Sequence, residues 1–444
     1  MKNSGIEWIG EIPDDWEIYR IKNIATIAGR IGWQGLTSQE YSDEGAYLIT
    51  GINFLNGTID WKSCVHVPYS RWEEATQIQI KNDDLLITKD GTVGKIAIVK
   101  DVHDKTTLNS GVMVIRQNKT KCDTKYLYYI LSSDIFWKWF YFINSGNSTI
   151  IHLYQQDFYN FSFPLPNIEI QSLLSSKLEK NCSRIEKTMQ NQLQVIEKLK
   201  AYKQSLITEA VTGKIKIQNG KVCGKYESYK ESGVEYLGKI PSNWNVKRLR
   251  YIGKCQNGIS KGGEFFGSGY PFVSYGDVYN NLTLPETVSG LIESTPEEQE
   301  NYSVKAGDIF FTRTSETIEE VGFTSVCLKT IENATFAGFV IRVRPFTYDL
   351  IPEYSKYYFS SDAHRRFFVK EMNLVTRASL SQDLLKRLPV LIPSKEDQKE
   401  IADYLDKKCT AIDTAIEQKQ KLIEKLTEYK KSLIYECVTG KKVV

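Results

Sequence analysis

Apolar positions recur along this chain in two rhythms. From residue 15 to about 150 they form short runs of β-type spacing at 47–50, 84–88, 95–99 and 111–115, punctuated by Gly, Asn and Asp turns. The rhythm returns at 270–274, 308–312, 324–328 and 338–343. Each set leads into an aromatic stretch, YLYYILSSD at 126–134 and YSKYYFSSD at 354–362. The spacing there predicts a helix whose rings sit in a core rather than stack on bases.

The second rhythm is helical and much longer. Pro166 and Asn167, matched by Pro393 and Ser394, supply a stop and an N-cap, and Ser394 with Asp397 approximates a capping box. Gly213 and Gly440 stand where a left-handed C′ residue belongs. About 45 residues of helix between them would span roughly 66 Å. Leu178, Cys182, Ile185, Met189, Ile196, Leu199, Leu206 and Ala210 alternate in steps of four and three, and Leu405, Cys409, Ile412, Ile416, Ile423, Leu426, Leu433 and Cys437 repeat them. Such spacing is the a/d seam of a coiled coil. Two seam positions are polar in both copies, Gln192 with Lys419 and Lys203 with Lys430, and polar seam residues fix register at some cost in stability. Each helix could pack on its own domain alone. The chain must return between the copies, however, so an intramolecular antiparallel pair is expected.

The two halves also echo each other directly. SGIEWIGEIPDDWEIYRIKNI, opening at Ser4, returns as SGVEYLGKIPSNWNVKRLRYI at Ser232 with nine of twenty-one positions identical. IEKLKAYKQSLITEAVTGK at Ile196 returns at Ile423 with fourteen of nineteen identical. A period of about 227 residues is far longer than that of a solenoid, so a whole domain plus a helix has been duplicated. Approximate two-fold symmetry follows, and it suits a two-fold ligand.

Composition narrows the classes. At 444 residues and 41% apolar content, the chain has material for about three cores. Eight scattered cysteines form no CxxC pair and accompany no histidine cluster, which indicates neither disulfides nor zinc and fits a reducing cytoplasm. No run of 18 apolar residues suggests a membrane span. The net charge of +3 is too small to identify a partner.

Catalytic patterns fail one by one. Phe265-Phe266-Gly267-Ser268-Gly269 matches the FxGxG of adenosylmethionine-dependent methyltransferases, yet no Asn-Pro-Pro or Asp-Pro-Pro accompanies it, and its place in the repeat, opposite Tyr41 to Gly45, predicts a turn before a strand. Gly91-Thr92-Val93-Gly94-Lys95 and both Thr-Gly-Lys triplets fall short of a phosphate loop and read as turns or helix caps. Glu417 with Lys419, and Glu428 with Lys430, have nuclease-like spacing but lie on the long helix. His66, His103, His152 and His364 are isolated in sequence. What remains is a matched set of polar and basic loops: Arg30, Trp33, Gln34, Lys89, Thr92, Lys95 and Asn109 in the first half, and Lys261, Arg313 and Thr314 in the second. Arg and Lys reach phosphates or guanine edges and Asn or Gln reads adenine, so these residues are the candidates for meeting duplex DNA.

With these features the chain resembles the specificity subunit of a Type I restriction-modification system. The likeness rests on Gly10-Glu11-Ile12-Pro13 with Trp16, Gly238-Lys239-Ile240-Pro241 with Trp244, the Arg30-Ile31-Gly32-Trp33 loop, Pro164-Leu165-Pro166 with Gln171, Leu391-Ile392-Pro393 with Gln398, and the duplicated helices ending Thr-Gly-Lys. The resemblance implies an α+β protein of two tandem, pseudo-two-fold related target recognition domains, separated by two long helices that form an antiparallel coiled coil. The corresponding boundaries are 1–165 and 232–392 for the recognition domains, 166–214 and 393–444 for the helices, and 215–231 for a linker. It further implies a non-catalytic, cytoplasmic subunit that binds no cofactor and acts with double-stranded DNA, two methyltransferase subunits and two restriction subunits, without a membrane. Adenosylmethionine, ATP and Mg2+ would belong to those partners. A stand-alone DNA-binding or regulatory protein of the same architecture is the alternative, which co-purification with a methyltransferase would separate. A self-sufficient methyltransferase is a third reading, and the missing Pro-Pro motif argues against it.

Overall fold

The computed structural model describes residues 1–145, 152–315, 317, 320–347, 349–371 and 378–442, apart from the side chains of Trp33 and Ala378. Two compact units divide it, Met1–Gln192 with Gln420–Val444, and Leu193–Lys419. The division crosses both long helices, so 166–214 and 393–444 are not separate bodies. Each helix gives one half to each unit.

In the first unit the strands are β1 (Glu17–Arg20), β2 (Ala25–Gly29), β3 (Ala46–Ile49), β4 (Val65–Val67), β5 (Leu85–Thr88), β6 (Ile96–Ile98), β7 (Thr106–Leu108), β8 (Val112–Gln117) and β9 (Ser162–Leu165). Helices α1 (Thr124–Ser132) and α2 (Asp134–Ile143) precede β9, and α3 (Ile168–Val211) follows it. The second unit has β10 (Asn245–Arg248), β11 (Gly253–Asn257), β12 (Phe266–Val273), β13 (Leu291–Ile292), β14 (Ile309–Thr312), β15 (Thr324–Val326), β16 (Thr335–Phe336) and β17 (Val340–Pro345). Then come α4 (Pro352–Ser360), α5 (Asp362–Glu371), β18 (Pro389–Ile392) and α6 (Lys395–Val438).

Sheet orders repeat between the units. A four-stranded sheet runs β6-β5-β8-β2 in one and β15-β14-β17-β11 in the other, and a three-stranded sheet runs β7-β3-β4 or β16-β12-β13. In each three-stranded sheet one pair is parallel, β3 with β7 and β12 with β16. Strands β5 and β14 are buried along their whole length, which is why they read as uninterrupted apolar runs. The aromatic stretches are helical and core-facing as expected, with Tyr126, Tyr129, Tyr354, Tyr357 and Tyr358 buried. Each is followed by a second helix, α2 or α5, after a break at Ser133 or Ser361.

The glycine-rich segment 265–269 departs from the expected turn. Residues 266–269 belong to strand β12, whose pairing with β13 shifts register between Phe266 and Tyr270, and Gly267 and Gly269 take φ of 100° and 95° in that bulge. The segment 215–231 is likewise more than a linker. It holds a hairpin, Lys216–Gln218 with Lys221–Gly224, and a strand Tyr229–Glu231 paired with Lys239–Pro241.

Helices α3 and α6 have 44 residues each. Asn167 Oδ1 accepts from the Ile170 amide at 2.9 Å, and Ser394 Oγ from the Asp397 amide at 3.1 Å. The Asp397 carboxylate accepts from Trp244 Nε1 at 2.9 Å, so its partner is a neighbouring segment of the same unit. At the other ends Gly213 and Gly440 are left-handed, at φ 71° and 69°, and a Cβ there would strike Pro241 or Pro13 at 2.5 and 2.4 Å. The echoed Ile-Pro…Trp and Thr-Gly-Lys motifs are therefore one packing unit made twice. Gln171 and Gln398, both fully buried, serve a second such device. Gln171 Nε2 donates to the carbonyls of Lys121 and Pro166, and Gln398 Nε2 to those of Asp349 and Pro393.

In the first unit the seam residues Leu178, Cys182 and Ile185 share one core with Leu433 and Cys437, and Met189 and Leu426 pack at its edge. In the second, Leu206 and Ala210 share a core with Leu405 and Cys409. Ile196 and Ile412 are buried too, whereas Leu199, Ile416 and Ile423 are half-buried. The polar seam lysines form equivalent cross-helix ion pairs, Lys430 with Glu186 at 2.5 Å in the first unit and Lys203 with Asp413 at 2.6 Å in the second.

Candidate nucleic-acid interface

The end of the central strand builds the same main-chain frame in each unit. After β5, the Gly94 amide donates to the Thr88 carbonyl at 2.9 Å, and Thr88 Oγ1 accepts from the Lys95 amide at 2.9 Å. After β14, the Gly322 amide donates to Thr312 O at 3.0 Å, and Thr312 Oγ1 accepts from the Phe323 amide at 2.9 Å. The next residue is pinned on both sides. Lys89 N donates to Gly111 O at 2.8 Å and Leu153 N to Lys89 O at 3.0 Å, while Arg313 N donates to Phe339 O at 2.9 Å and Leu380 N to Arg313 O at 2.7 Å.

An ion pair between a buried aspartate and a half-buried arginine braces the opposite end of each central strand. Arg116 Nε and Nη2 donate to the two oxygens of Asp84 at 3.0 and 2.8 Å, and Arg344 does the same to Asp308 at 2.7 and 2.6 Å. Bidentate pairing of this kind fixes geometry as well as charge. Each frame thus sits at one end of a strand that is braced at the other.

Several loop residues singled out in the sequence have structural work instead. Arg30 is only 5% exposed. Its Nε donates to Leu108 O at 2.8 Å and its Nη2 to Thr107 Oγ1 at 3.0 Å, with Glu74 3.7 Å from Nη1. Burial, and next the Arg71 charge, lower its pKa from the ordinary guanidinium value. It ties β2 to β7 and is not available to DNA. At the equivalent position after β11 stands Gly258, where a Cβ would lie 2.1 Å from Phe336 O, so no arginine fits there. Gln34 is also buried, donating through Nε2 to Glu74 O at 2.7 Å and accepting from Gln77 Nε2 at 2.9 Å. Lys261 is held by Glu298 at 2.7 Å and by the Glu293 carbonyl at 2.8 Å, and that lysine in turn holds the Glu298 carboxyl below its usual range. The Trp33 side chain lies outside the described residues.

The others stay on or beside the frames. Thr92 and Lys95 are exposed in the loop after β5, where Lys95 Nζ reaches Gly51 O at 3.4 Å, and Lys89 is half-buried at its root. Asn109 donates to the Tyr41 hydroxyl at 3.0 Å, two residues before Gly111. Arg313 and Thr314 are half-buried after β14, and the Thr314 carbonyl accepts from the Tyr275 hydroxyl at 2.8 Å.

Two frame residues lie outside the candidates read from the sequence. His152 Nδ1 lies 2.5 Å from Asp90 Oδ1, both partly exposed, across a separation of 62 residues that hides the pair from local pattern reading. Phe339 is 64% exposed at the place where the first unit has Gly111. Superposing the two halves of the sequence on their strands would have found it. The remaining histidines have packing roles, His66 and His103 against Tyr47 and His364 in the second core. Among the described residues no group of His, Cys, Asp and Glu could hold a metal ion, and no helix is long and apolar enough to cross a membrane.

Known proteins share this build. The type I restriction enzyme EcoKI specificity subunit of Escherichia coli K12 is 22% identical over 97% of this chain and 90% of its own length. The MjaVIII specificity subunit of Methanocaldococcus jannaschii is 24% identical over 97% and 93%. Among solved structures, a chain from a study of complex assembly and conformational transition of the type I R-M system superposes with a TM-score of 0.73 at 16% identity, covering 97% of this chain and all of that one. The HsdS subunit from Thermoanaerobacter tengcongensis gives 0.54 at 16% identity, over 97% and 98%. The family described as the Type I restriction modification DNA specificity domain matches twice, at residues 13–198 and 241–427, one match for each copy of the strand-and-helix pattern. The chain belongs to that family, as a specificity subunit with two copies of its domain.

Proposed function

We propose that this subunit recognises an asymmetric, two-part site in duplex DNA, each recognition domain reading one half and the paired helices setting the spacer. One observation carries the reading. The two frames share their main-chain hydrogen bonds, yet present Lys89, Asp90, Gly111 and His152 in one unit and Arg313, Thr314, Phe339 and Ser379 in the other. Equal scaffolds with unequal side chains suit two different half-sites, because phosphate contacts position a protein while base-edge contacts specify sequence.

On the same reading the chain docks two methyltransferase and two restriction subunits, and these supply the chemistry with adenosylmethionine, ATP and Mg2+. The chain itself binds none of those cofactors. The test is methylome sequencing of cells expressing this chain with its cognate methyltransferase. A methylated motif of two unlike halves around a fixed spacer is expected. Methylation dependent on this chain at a continuous or palindromic motif would overturn the reading.

A further inference from the structure

Resting on that reading, we infer that half-site specificity is determined at two positions of the frame, 90/314 and 111/339, whereas position 89/313 makes a contact that both halves need. The duplication supplies the comparison. Strands β5 and β14, β8 and β17 correspond residue by residue, and the hydrogen bonds at their ends are equivalent to within a few tenths of an ångström. Side chains that differ on an unchanged frame are free to encode different sequences.

Position 89/313 keeps a positive charge, as Lys89 and Arg313. A charge retained on two otherwise divergent surfaces fits a phosphate, which every half-site offers. Position 90/314 changes from Asp to Thr. A carboxylate next to a polyanion is unfavourable unless it accepts from a base donor, and in the major groove the suitable donor is the cytosine 4-amino group. Asp90 is anchored while remaining partly exposed. His152 holds its Oδ1, and its side chain remains 38% exposed. Position 111/339 changes from Gly to Phe. Phe339 is 64% exposed beside Arg313 and belongs to no hydrophobic cluster among the described residues, and the apolar feature available to it in the major groove is the thymine methyl. We therefore assign a cytosine to the half-site read by the first unit through Asp90, and a thymine to the half-site read by the second through Phe339.

The test uses the methyltransferase complex of the full chain and reads methylated motifs for wild type, Asp90→Ala and Phe339→Gly. Asp90→Ala is expected to relax a cytosine-bearing position of one half-site and Phe339→Gly a thymine-bearing position of the other, each by about ten- to a hundred-fold in discrimination, the range of one good base contact. Binding to duplexes with deoxyuridine in place of that thymine, which removes only the methyl, should weaken for wild type and be indifferent for Phe339→Gly. A two-part wild-type motif that neither variant alters would overturn the assignment alone. A wild-type motif without two parts would overturn the functional reading and the assignment together.

Discussion

The Tyr354 hydroxyl donates to the Val211 carbonyl at 3.2 Å, closing the last turn of α3 from inside the second core. Tyr126 stands in the same relation to Val438 of α6 at 3.3 Å, within reach also of Pro164 O at 3.1 Å. Helix-terminal carbonyls have no partner within the helix, and a buried one left unpaired costs about 1–3 kcal/mol. Tyr354→Phe should therefore destabilise by about that much in urea unfolding. Tyr126→Phe should cost at least as much, because its hydroxyl serves two buried acceptors. Equal, negligible effects would show that water or a main-chain rearrangement satisfies these carbonyls.

The seam ion pairs fix register more than they add stability. Lys430 and Glu186 have side chains 31% and 56% exposed, and Lys203 and Asp413 27% and 55%, so solvent screens both pairs and each contributes about 0.2–1 kcal/mol. Lys430→Glu should set two carboxylates against each other and lower stability. Adding Glu186→Lys should recover most of the loss. A double-mutant cycle in urea measures the coupling, which should shrink as salt is raised.

Helix caps, seam and repeat were legible because their signals are local. Asn167 and Gly213 bound a segment, and the four-three spacing from Leu178 to Leu206 states which face is apolar. The long-range partners were not legible. Arg30 looks like a DNA contact beside Gly29 and Gly32, and only β7, arriving 77 and 78 residues later, turns it into a buried tie. Lys261 is claimed by Glu298 in the same way, 37 residues on. Asp90 with His152, and Phe339 beside Arg313, are products of sheet topology that no single window contains.

Arg30 and Lys95 should consequently behave as opposites. Arg30→Ala leaves Leu108 O and Thr107 Oγ1 without their donor in a buried site, and a loss of about 3 kcal/mol or more is expected. Lys95→Ala touches one long contact and should leave stability within about 0.5 kcal/mol. If Lys95 meets a phosphate, its removal weakens binding to all sequences and reduces the slope of log K against log salt by about one. Thermal melts and salt-dependent DNA titrations of the two variants separate these outcomes.

Acid should weaken the second unit through His364. Its ring is buried between Phe359 and Phe368, and burial, with Arg365 adding to it, pushes its pKa from 6.5 down to about 3. The folded chain prefers neutral imidazole, while the unfolded chain protonates near 6.5. The stability from this group is therefore complete above about pH 6.5 and is lost as pH falls from there toward 3, at about 1.4 kcal/mol per pH unit. His364→Phe should flatten the fall of Tm between pH 7 and 5 relative to wild type, whatever its Tm at pH 7. Parallel curves would show that the ring reaches solvent.

The proposed spacing role of the helices is open to a length test. The division between the units falls at equivalent points of the two helices, between Gln192 and Leu193 and between Lys419 and Gln420. Inserting one heptad at both points leaves each unit's own contacts intact and keeps both seams in phase, while adding about 10.5 Å of rise. At about 3.4 Å per base pair, the preferred spacer should lengthen by up to about three base pairs with both half-sites unchanged. A lean of the domains or a bend in the DNA would reduce the gain, since bending a site of this length costs only a few kcal/mol. A heptad in α3 alone should instead destabilise the chain, because helices of unequal length cannot keep both Lys430 on Glu186 and Lys203 on Asp413. Methylome sequencing of the double-insertion complex decides the matter. Activity at the original spacer, with no preference for a longer one, would show that the helices do not set the distance.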